Sequence, residues 1–407
     1  MKRLILFLCC LPATLLYAQK ASNTIPLPQN KPLGDTSGQR DLIDVAKDLF
    51  HISPQKIQVK REKKVYFSLL PFSNAPGGTG RALVTSTTAG MYLGSRRTTN
   101  KSTATFAPYW NFKGRFGLPL RMSVWLPNNT WNIQGDLRFL VYPQNTWGTG
   151  SSNDNERKIM VDYTYIRFYQ AALKRIRPHF FAGVGYNLDY RFNIKSNDSI
   201  VDLKTFTGYQ FGTNSHSLSS GITLNAVYDT RHNLINPLPG FYANLIYRIN
   251  PTFLGNEKPW HSIYADVRKY ISLNPAKPSQ QNTLALWSYF WKVLNNGAPY
   301  LDLPSTGWDP YNRSARGIDQ NRYRGKTLLY FEAEYRRDIT ANGLFGFVLF
   351  ANTNTVSGNN SLFRAWHPAA GAGLRIKCSK VSGTNLGLDF GFSKGYSAIL
   401  LNISEAF

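Results

Sequence analysis

Six histidines, at positions 51, 179, 216, 232, 261 and 367, are the first candidates for metal chemistry in this chain, and no two share a spacing that would set both rings on one ion. There is no His-Glu-x-x-His stretch and no paired-cysteine spacing. Nor is there a Gly-x-Ser-x-Gly stretch to raise a serine nucleophile on a strand-to-helix elbow. Cys9 and Cys10 fall inside an apolar leader, and Cys378 follows Leu374 and Ile376 on an apolar row, the place of a lipid-facing thiol. The expectation is a protein without catalytic residues, metal or cofactor. The side chains left to do specific work are arginines and carboxylates, since a guanidinium fork can hold a carboxylate by two parallel charge-assisted bonds that fix orientation as well as attract charge. Basic residues predominate, 47 Lys and Arg against 23 Asp and Glu, for a net charge of +24. Ordinary solvated charge accounts for such an excess; a cationic lumen and attraction to anionic lipid headgroups are the functional alternative. No clustered basic motif points to nucleic acid.

The elements that must position these groups follow from composition and period. Aromatic residues make up 14% of the 407 residues and charged residues 17%, below the roughly 25% of soluble domains, yet the mean hydropathy is −0.30. Apolar and water-facing positions must therefore interleave. Met1-Lys2-Arg3, then Leu4 to Leu16, then Tyr17-Ala18 read as a signal peptide over residues 1–18. Residues 19–64 read as a periplasmic linker, with Pro26, Pro28 and Pro32 ahead of a short amphipathic helix at 41–50 that sets Leu42, Val45, Ala46 and Leu49 on one face. From residue 65 the period becomes two. Phe116, Leu118, Leu120, Met122 and Val124 alternate with Arg115, Gly117, Pro119, Arg121 and Ser123, and Ala370, Ala372, Leu374 and Ile376 alternate with Gly371, Gly373, Arg375 and Lys377. About sixteen such segments occur in 65–407, many of them ten residues or longer. That is enough to cross a bilayer when tilted, whereas no apolar run reaches the ~18 residues of a spanning helix. The fold expected is all-β: a transmembrane antiparallel barrel of about sixteen strands in the outer membrane of a Gram-negative-type cell, with the N-terminus periplasmic. An even count places the loops after odd strands outside, the longest at about 195–216 and 296–324. Tyr109, Trp110, Trp125, Trp131 and Trp291, near strand ends, are expected in the interfacial aromatic girdles.

Within the last long loop stands Ser314-Ala315-Arg316-Gly317-Ile318, running on to Arg322-Tyr323-Arg324-Gly325, and the next strand carries Glu334-Tyr335-Arg336. This stretch resembles the BamA/TamA superfamily of outer-membrane assembly barrels (the bacterial surface antigen family), whose sixth outer loop carries an Arg-Gly-aromatic signature; here Ile318 replaces the aromatic. Tyr228 to Gly240 resembles the family's turn between strands eight and nine, and Gly371 to Gly391 with the terminal Glu405-Ala406-Phe407 resembles its last strands. Ile399, Leu401, Ile403 and the final Phe407 look like the C-terminal signal by which such barrels are inserted. The resemblance implies that Arg316 folds into the lumen. The acidic residue that receives it in relatives is replaced here by Asn352, so the inward carboxylates must substitute. Glu332 and Glu334 share the face opposite Phe331 and Tyr335, and Asp389 lies opposite Leu388 and Phe390. Arg316 is expected on Glu334 or Asp389, with Asn352 assisting; the plainer alternative is an exposed loop arginine. Residues 19–64 offer no room for a POTRA module, which implies a short, barrel-only branch.

The function these readings imply is insertion, assembly or translocation of proteins, or of lipids, through a lateral seam. The alternatives are a passive or anion-preferring pore and a structural subunit of an envelope complex. Expected partners are outer-membrane lipids, with nascent outer-membrane proteins or complex subunits beside them.

Overall fold

The computed structural model describes residues 38–51, 65–70, 83–84, 86–110, 114–151, 157–197, 201–231, 236–237, 239–277, 280–357, 364–380 and 383–407. The expected signal peptide and most of the expected linker lie outside these, as does part of the 229–240 turn. Nineteen strand segments pair in one antiparallel sheet, and three pairs of them continue each other across short breaks, which leaves sixteen staves among the described residues. They are β1 (Val65–Leu70), β2 (Leu83–Val84 and Ser86–Met91), β3 (Ser102–Phe106 and Tyr109–Trp110), β4 (Phe116–Trp125), β5 (Trp131–Val141 and Gln144–Thr146), β6 (Ile159–Arg177), β7 (Phe180–Ser196) and β8 (His216–Asp229). The second half comprises β9 (Gly240–Asn250), β10 (Trp260–Ser272), β11 (Asn282–Val293), β12 (Thr327–Asp338), β13 (Phe345–Val356), β14 (His367–Ser379), β15 (Thr384–Ser393) and β16 (Tyr396–Ile403). Each pairs with its sequence neighbour, as hairpins joined by short connections require.

The sheet is curled into a barrel, and one loop demonstrates it. Arg121 of β4 and Arg138 of β5 donate to the Pro310 carbonyl at 3.1 and 2.5 Å, while Arg313 donates to Ser404 Oγ, just past β16, at 3.1 Å. Strands lie ~4.8 Å apart, so a flat sheet would hold β4 and β16 more than 50 Å from each other. They can share neighbouring loop residues only if the sheet wraps around them.

Side-chain alternation then sorts the two faces. Outward positions are apolar and bare: Val184 is 58% exposed, Leu374 and Ile399 each 61%. Such a belt is stable only against hydrocarbon, and the barrel is transmembrane. Inward positions are polar and buried. Arg138, Asp189, Arg248, Asp266, Glu334 and Asp389 all lie on this face. Cys378 falls on the outward row beyond Leu374 and Ile376, half-buried. The girdle expectation divides by parity. Trp110 is exposed and Trp131 shares the outward row of Phe139, but Tyr109, Trp125 and Trp291 point inward. There Trp125 meets Phe181 edge-on at 5.3 Å and Trp291 meets Tyr264 at 6.1 Å. Proximity to a strand end does not choose a face; the two-residue period does.

The connections differ between the two rims. One carries the longest, 197–215 and 294–326; the other has short turns, including 92–101, 126–130, 178–179, 339–344 and 380–383. A helix α1 (Leu42–Leu49) is fastened to this turn rim. Asp41 caps it in a reciprocal box with Asp44, and Lys47 sits in its last turn, where the helix dipole favours a cation. Asp41 Oδ2 accepts the Lys380 amide at 2.9 Å, Lys380 Nζ donates to Asp44 at 2.7 Å, and the Arg40 amide donates to the Asn342 carbonyl at 2.9 Å. Polar groups make this attachment. Leu42 and Leu49, on the apolar face of the helix, remain exposed.

Candidate functional site

The 294–326 loop enters the barrel because its polar backbone finds partners there. Asp309 receives the amides of Tyr311, Arg313 and Ser314 at 3.1, 2.9 and 2.8 Å, which rounds the chain into a compact bend. Ser314 Oγ lies 3.0 Å from Tyr289 OH on β11, and the Ala315 amide donates to Tyr330 OH on β12 at 3.0 Å. A tight turn follows, closed by the Ile318 amide on the Ala315 carbonyl at 2.9 Å. Gly317 takes φ +86°, the left-handed value that such a turn needs at its third position. Arg316 is thereby held at the apex, pointing at the wall.

Gly317 is required for a second reason. A Cβ on it would stand 2.6 Å from the Phe392 amide nitrogen and 2.9 Å from the Gly391 carbonyl carbon, so loop backbone lies directly on β15. Gly391 is bare for the reciprocal reason: a Cβ on it would stand 2.8 Å from the Gly317 amide nitrogen. Gly371 and Gly373 on β14 make room for Phe350 and Asp389 in the same way. Ile318, where relatives carry an aromatic, is buried in an apolar cluster with Trp287, Tyr289, Tyr330 and Phe407.

Three carboxylates from two strands converge on Arg316, itself 4% exposed. Nη1 donates to Asp389 Oδ2 at 2.7 Å, Nε to Glu332 Oε1 at 3.1 Å, and Nη2 to both Glu332 and Glu334. The Phe350 ring lies under the guanidinium, 3.8 Å from Cζ, and Asn352 Nδ2 donates to the Arg316 carbonyl at 2.9 Å. Asn352 thus steadies the backbone of the turn, while the charge is met elsewhere. The cradle is braced in turn. Arg336 Nε binds Glu334 at 2.6 Å, Arg375 binds Asp389 at 2.5 Å and Glu405 at 2.9 Å, and Tyr330 OH donates to Glu332. Three arginines and four acids form one buried network. No ion there lacks an opposite charge, the condition under which buried charges are tolerated.

All the residues expected around Arg316 are therefore assembled by the fold: Arg316, Gly317, Ile318, Glu334, Asp389 and Asn352. Glu332 joins them as a direct partner. Its signal was the inward row it shares with Glu334, two residues apart. Phe350 and the glycines of β14 and β15 carried no comparable sign, because their role exists only once three strands and the loop meet. The alternation of β16 ends just before the C-terminal residues. Ile399 and Leu401 face outward on β16, but Ser404 takes φ +74° and breaks the alternation, and the chain turns into the lumen. The Phe407 ring then packs 5.1 Å from Trp287 and 6.3 Å from Tyr270, and Arg336 Nη2 donates to its carbonyl at 2.8 Å. Phe407 does not continue the apolar row of Ile399 and Leu401.

Several further lumen arginines are also paired with carboxylates. Arg248 of β9 binds Asp189 of β7 at 2.6 Å, Arg191 of β7 binds Asp302 of the loop at 2.5 Å, and Arg268 binds Asp266 at 2.6 Å. Above them the 197–215 loop, with helix α2 (Leu203–Thr207), packs on the 294–326 loop: Tyr209 OH donates to the Ala298 carbonyl at 2.9 Å, and Leu203, Tyr300, Leu301 and Leu303 share one apolar cluster.

No family model and no curated protein matches the sequence. Solved structures do. BamA from Haemophilus ducreyi lacking POTRA domains 1-3 superposes with a TM-score of 0.50 at 13% identity, over 84% of this chain and 69% of that one. CdiB from Acinetobacter baumannii gives 0.55 at 14% identity and CdiB from Escherichia coli 0.53 at 12%, each over 84% of this chain. The match spans 60% and 63% of those two chains, so a substantial part of each has no counterpart here. The likeness is one of fold: this chain is built as a BamA- and CdiB-like β-barrel.

Proposed function

We propose that this protein is an outer-membrane barrel that assists the insertion or translocation of proteins, or of lipids, through a seam between β1 and β16. The observation that carries the reading is the loop turned into the lumen and clamped through Arg316 between β12 and β15. Such a clamp rigidifies the wall next to the last strand while leaving that strand's own pairing weak. β16 spans 8 residues and β1 6, whereas β11 to β13 span 12 each. The turn at Ser404 removes the residues that would have prolonged β16, and a short ladder has few hydrogen bonds to lose when it opens. A freed edge then offers unpaired N–H and C=O groups on which an incoming strand can be templated. The likeness to BamA and CdiB barrels agrees with this mechanism.

The test is folding of a small reporter barrel into liposomes, followed by its gel mobility, with and without the purified protein reconstituted. Acceleration that disappears when a disulfide joins β1 to β16 is expected. No acceleration across several lipid mixtures would overturn the proposal. Large, anion-selective conductance from the intact barrel would favour a pore instead; the pairing of Arg191, Arg248, Arg268 and Arg316 with carboxylates speaks against one.

A further inference from the structure

The turn rim carries a charge asymmetry that the loop clamp does not use. No Asp or Glu occurs from Lys63 to Gly135, and the turns 92–101, 126–130 and 178–179 with their flanking strand ends hold Arg96, Arg97, Lys101, Lys174, Arg175 and Arg177. Five of the six are exposed; Arg175 is half-buried. These turns are sewn into one platform. Thr98 Oγ1 donates to Asn128 Oδ1 at 2.7 Å, the Asn128 amide to Thr99 Oγ1 at 2.9 Å, and the Asn100 amide to Asn129 Oδ1 at 2.7 Å. Arg175 closes the third side through its amide on the Thr130 carbonyl at 2.9 Å and Nη1 on the Asn128 carbonyl at 2.6 Å. Asn128 and Asn129 take φ of +56° and +54°, so this turn is shaped to receive its neighbours.

The platform adjoins the apolar belt. Lys174 pairs across strands with Trp131 on the outward face, and exposed Met91, Leu93 and Ile176 surround the cations. An aromatic, a lysine stem and aliphatic groups at one level mark the depth where a bilayer passes from hydrocarbon to headgroup. Burial, with the nearby Arg96 behind it, holds the Lys101 ammonium below its ordinary pKa, as crowding among cations requires. We infer that this platform binds the phosphate headgroups of anionic phospholipids in the leaflet the turn rim faces, anchoring the β2–β7 side of the barrel. The inference rests on the membrane-spanning reading of the barrel and requires no client.

Native mass spectrometry of the full chain, titrated with phosphatidylglycerol or phosphatidylcholine, reads it out. Preferential binding of phosphatidylglycerol is expected. Combined Arg96→Gln, Arg97→Gln, Lys174→Gln and Arg177→Gln should cut that preference by on the order of tenfold or more. Lys195→Gln, Lys204→Gln, Lys258→Gln and Lys394→Gln, which remove the same charge from the opposite rim, should leave it intact. Should the first set not fold by gel mobility, the pair Arg96→Gln and Arg97→Gln is read alone, beside Arg96→Lys and Arg97→Lys, which should bind as the parent does. Equal losses from both rims, or none from this one, would overturn the inference. So would displacement of the lipid by equimolar inorganic phosphate, which would indicate a free-anion site, or by an acidic peptide, which would indicate a protein partner. Flotation of the unmodified chain with vesicles shows separately whether it inserts at all, and a failed reporter-folding assay leaves this result standing.

Discussion

Replacing Arg316 by alanine tests whether the loop is held by charge. The change removes one cation from a network of three arginines and four acids. The loss falls unevenly. Glu334 keeps Arg336 and Asp389 keeps Arg375, but Glu332 retains only the Tyr330 hydroxyl. Breaking a buried ion pair costs about 3–5 kcal/mol, mostly because a charge is stranded. With two of the three acids still paired, the lower end applies, ~3 kcal/mol, on the order of a hundredfold in the equilibrium between inward and released loop. Proteinase K digestion of the folded barrel, with cleavage within 296–324 mapped by mass spectrometry, measures that ratio. The carboxylate series sharpens the test. Glu332→Gln relieves an acidic excess while keeping an acceptor for Arg316, so it should cost less than about 1 kcal/mol. Glu334→Gln weakens the link between Arg316 and Arg336 and should cost more. An Arg316→Ala loop cleaved within threefold of the parent's rate, or Glu332→Gln proving the worse of the two, would refute the electrostatic account.

Gly317→Ala should loosen the loop without touching any charge: positive φ and the 2.6 Å approach to β15 together should cost roughly 1–3 kcal/mol, seen in the same digestion. Phe407→Ala removes a ring packed on Trp287 and Tyr270, a loss of about 3 kcal/mol or more, and should lower the temperature at which the barrel loses its compact gel mobility. The α1 tether should respond to pH. Lys380, donating to the Asp44 carboxylate, holds it below the ordinary aspartate pKa of 3.8, so the contribution is full above that value and is lost as pH falls through the lower folded one. The pair is partly solvated and worth a few tenths of a kcal/mol at most. The protection of amides 42–49 against hydrogen exchange, relative to their intrinsic rates, should hence stay constant from pH 7 to pH 5, and Lys380→Ala should lower it at any pH in that range.

The period of two in this chain determined a great deal by itself. Alternation such as Phe116 to Trp125 sets strand limits and faces together, because a one-residue slip would carry every apolar group into the lumen and every arginine into lipid. Sixteen staves and the position of the long loop between β11 and β12 follow from that constraint. The inward row of Glu332, Glu334 and Arg336 was legible for the same reason. Period alone could not say which of these carboxylates meets Arg316, since residues 316 and 389 are brought together only by the curl of the sheet. Nor could it foresee the bare β15 backbone at Gly391 or the ring of Phe350, whose roles depend on a loop crossing the lumen. Phe407 is the plainest case. Extrapolated alternation assigns it to lipid, but one left-handed residue at Ser404 turns the chain inward, and packing on Trp287 with a hydrogen bond from Arg336 holds it there. Local pattern decides which face a residue presents while the backbone stays extended; past a turn, only the partners that the curled sheet assembles can decide.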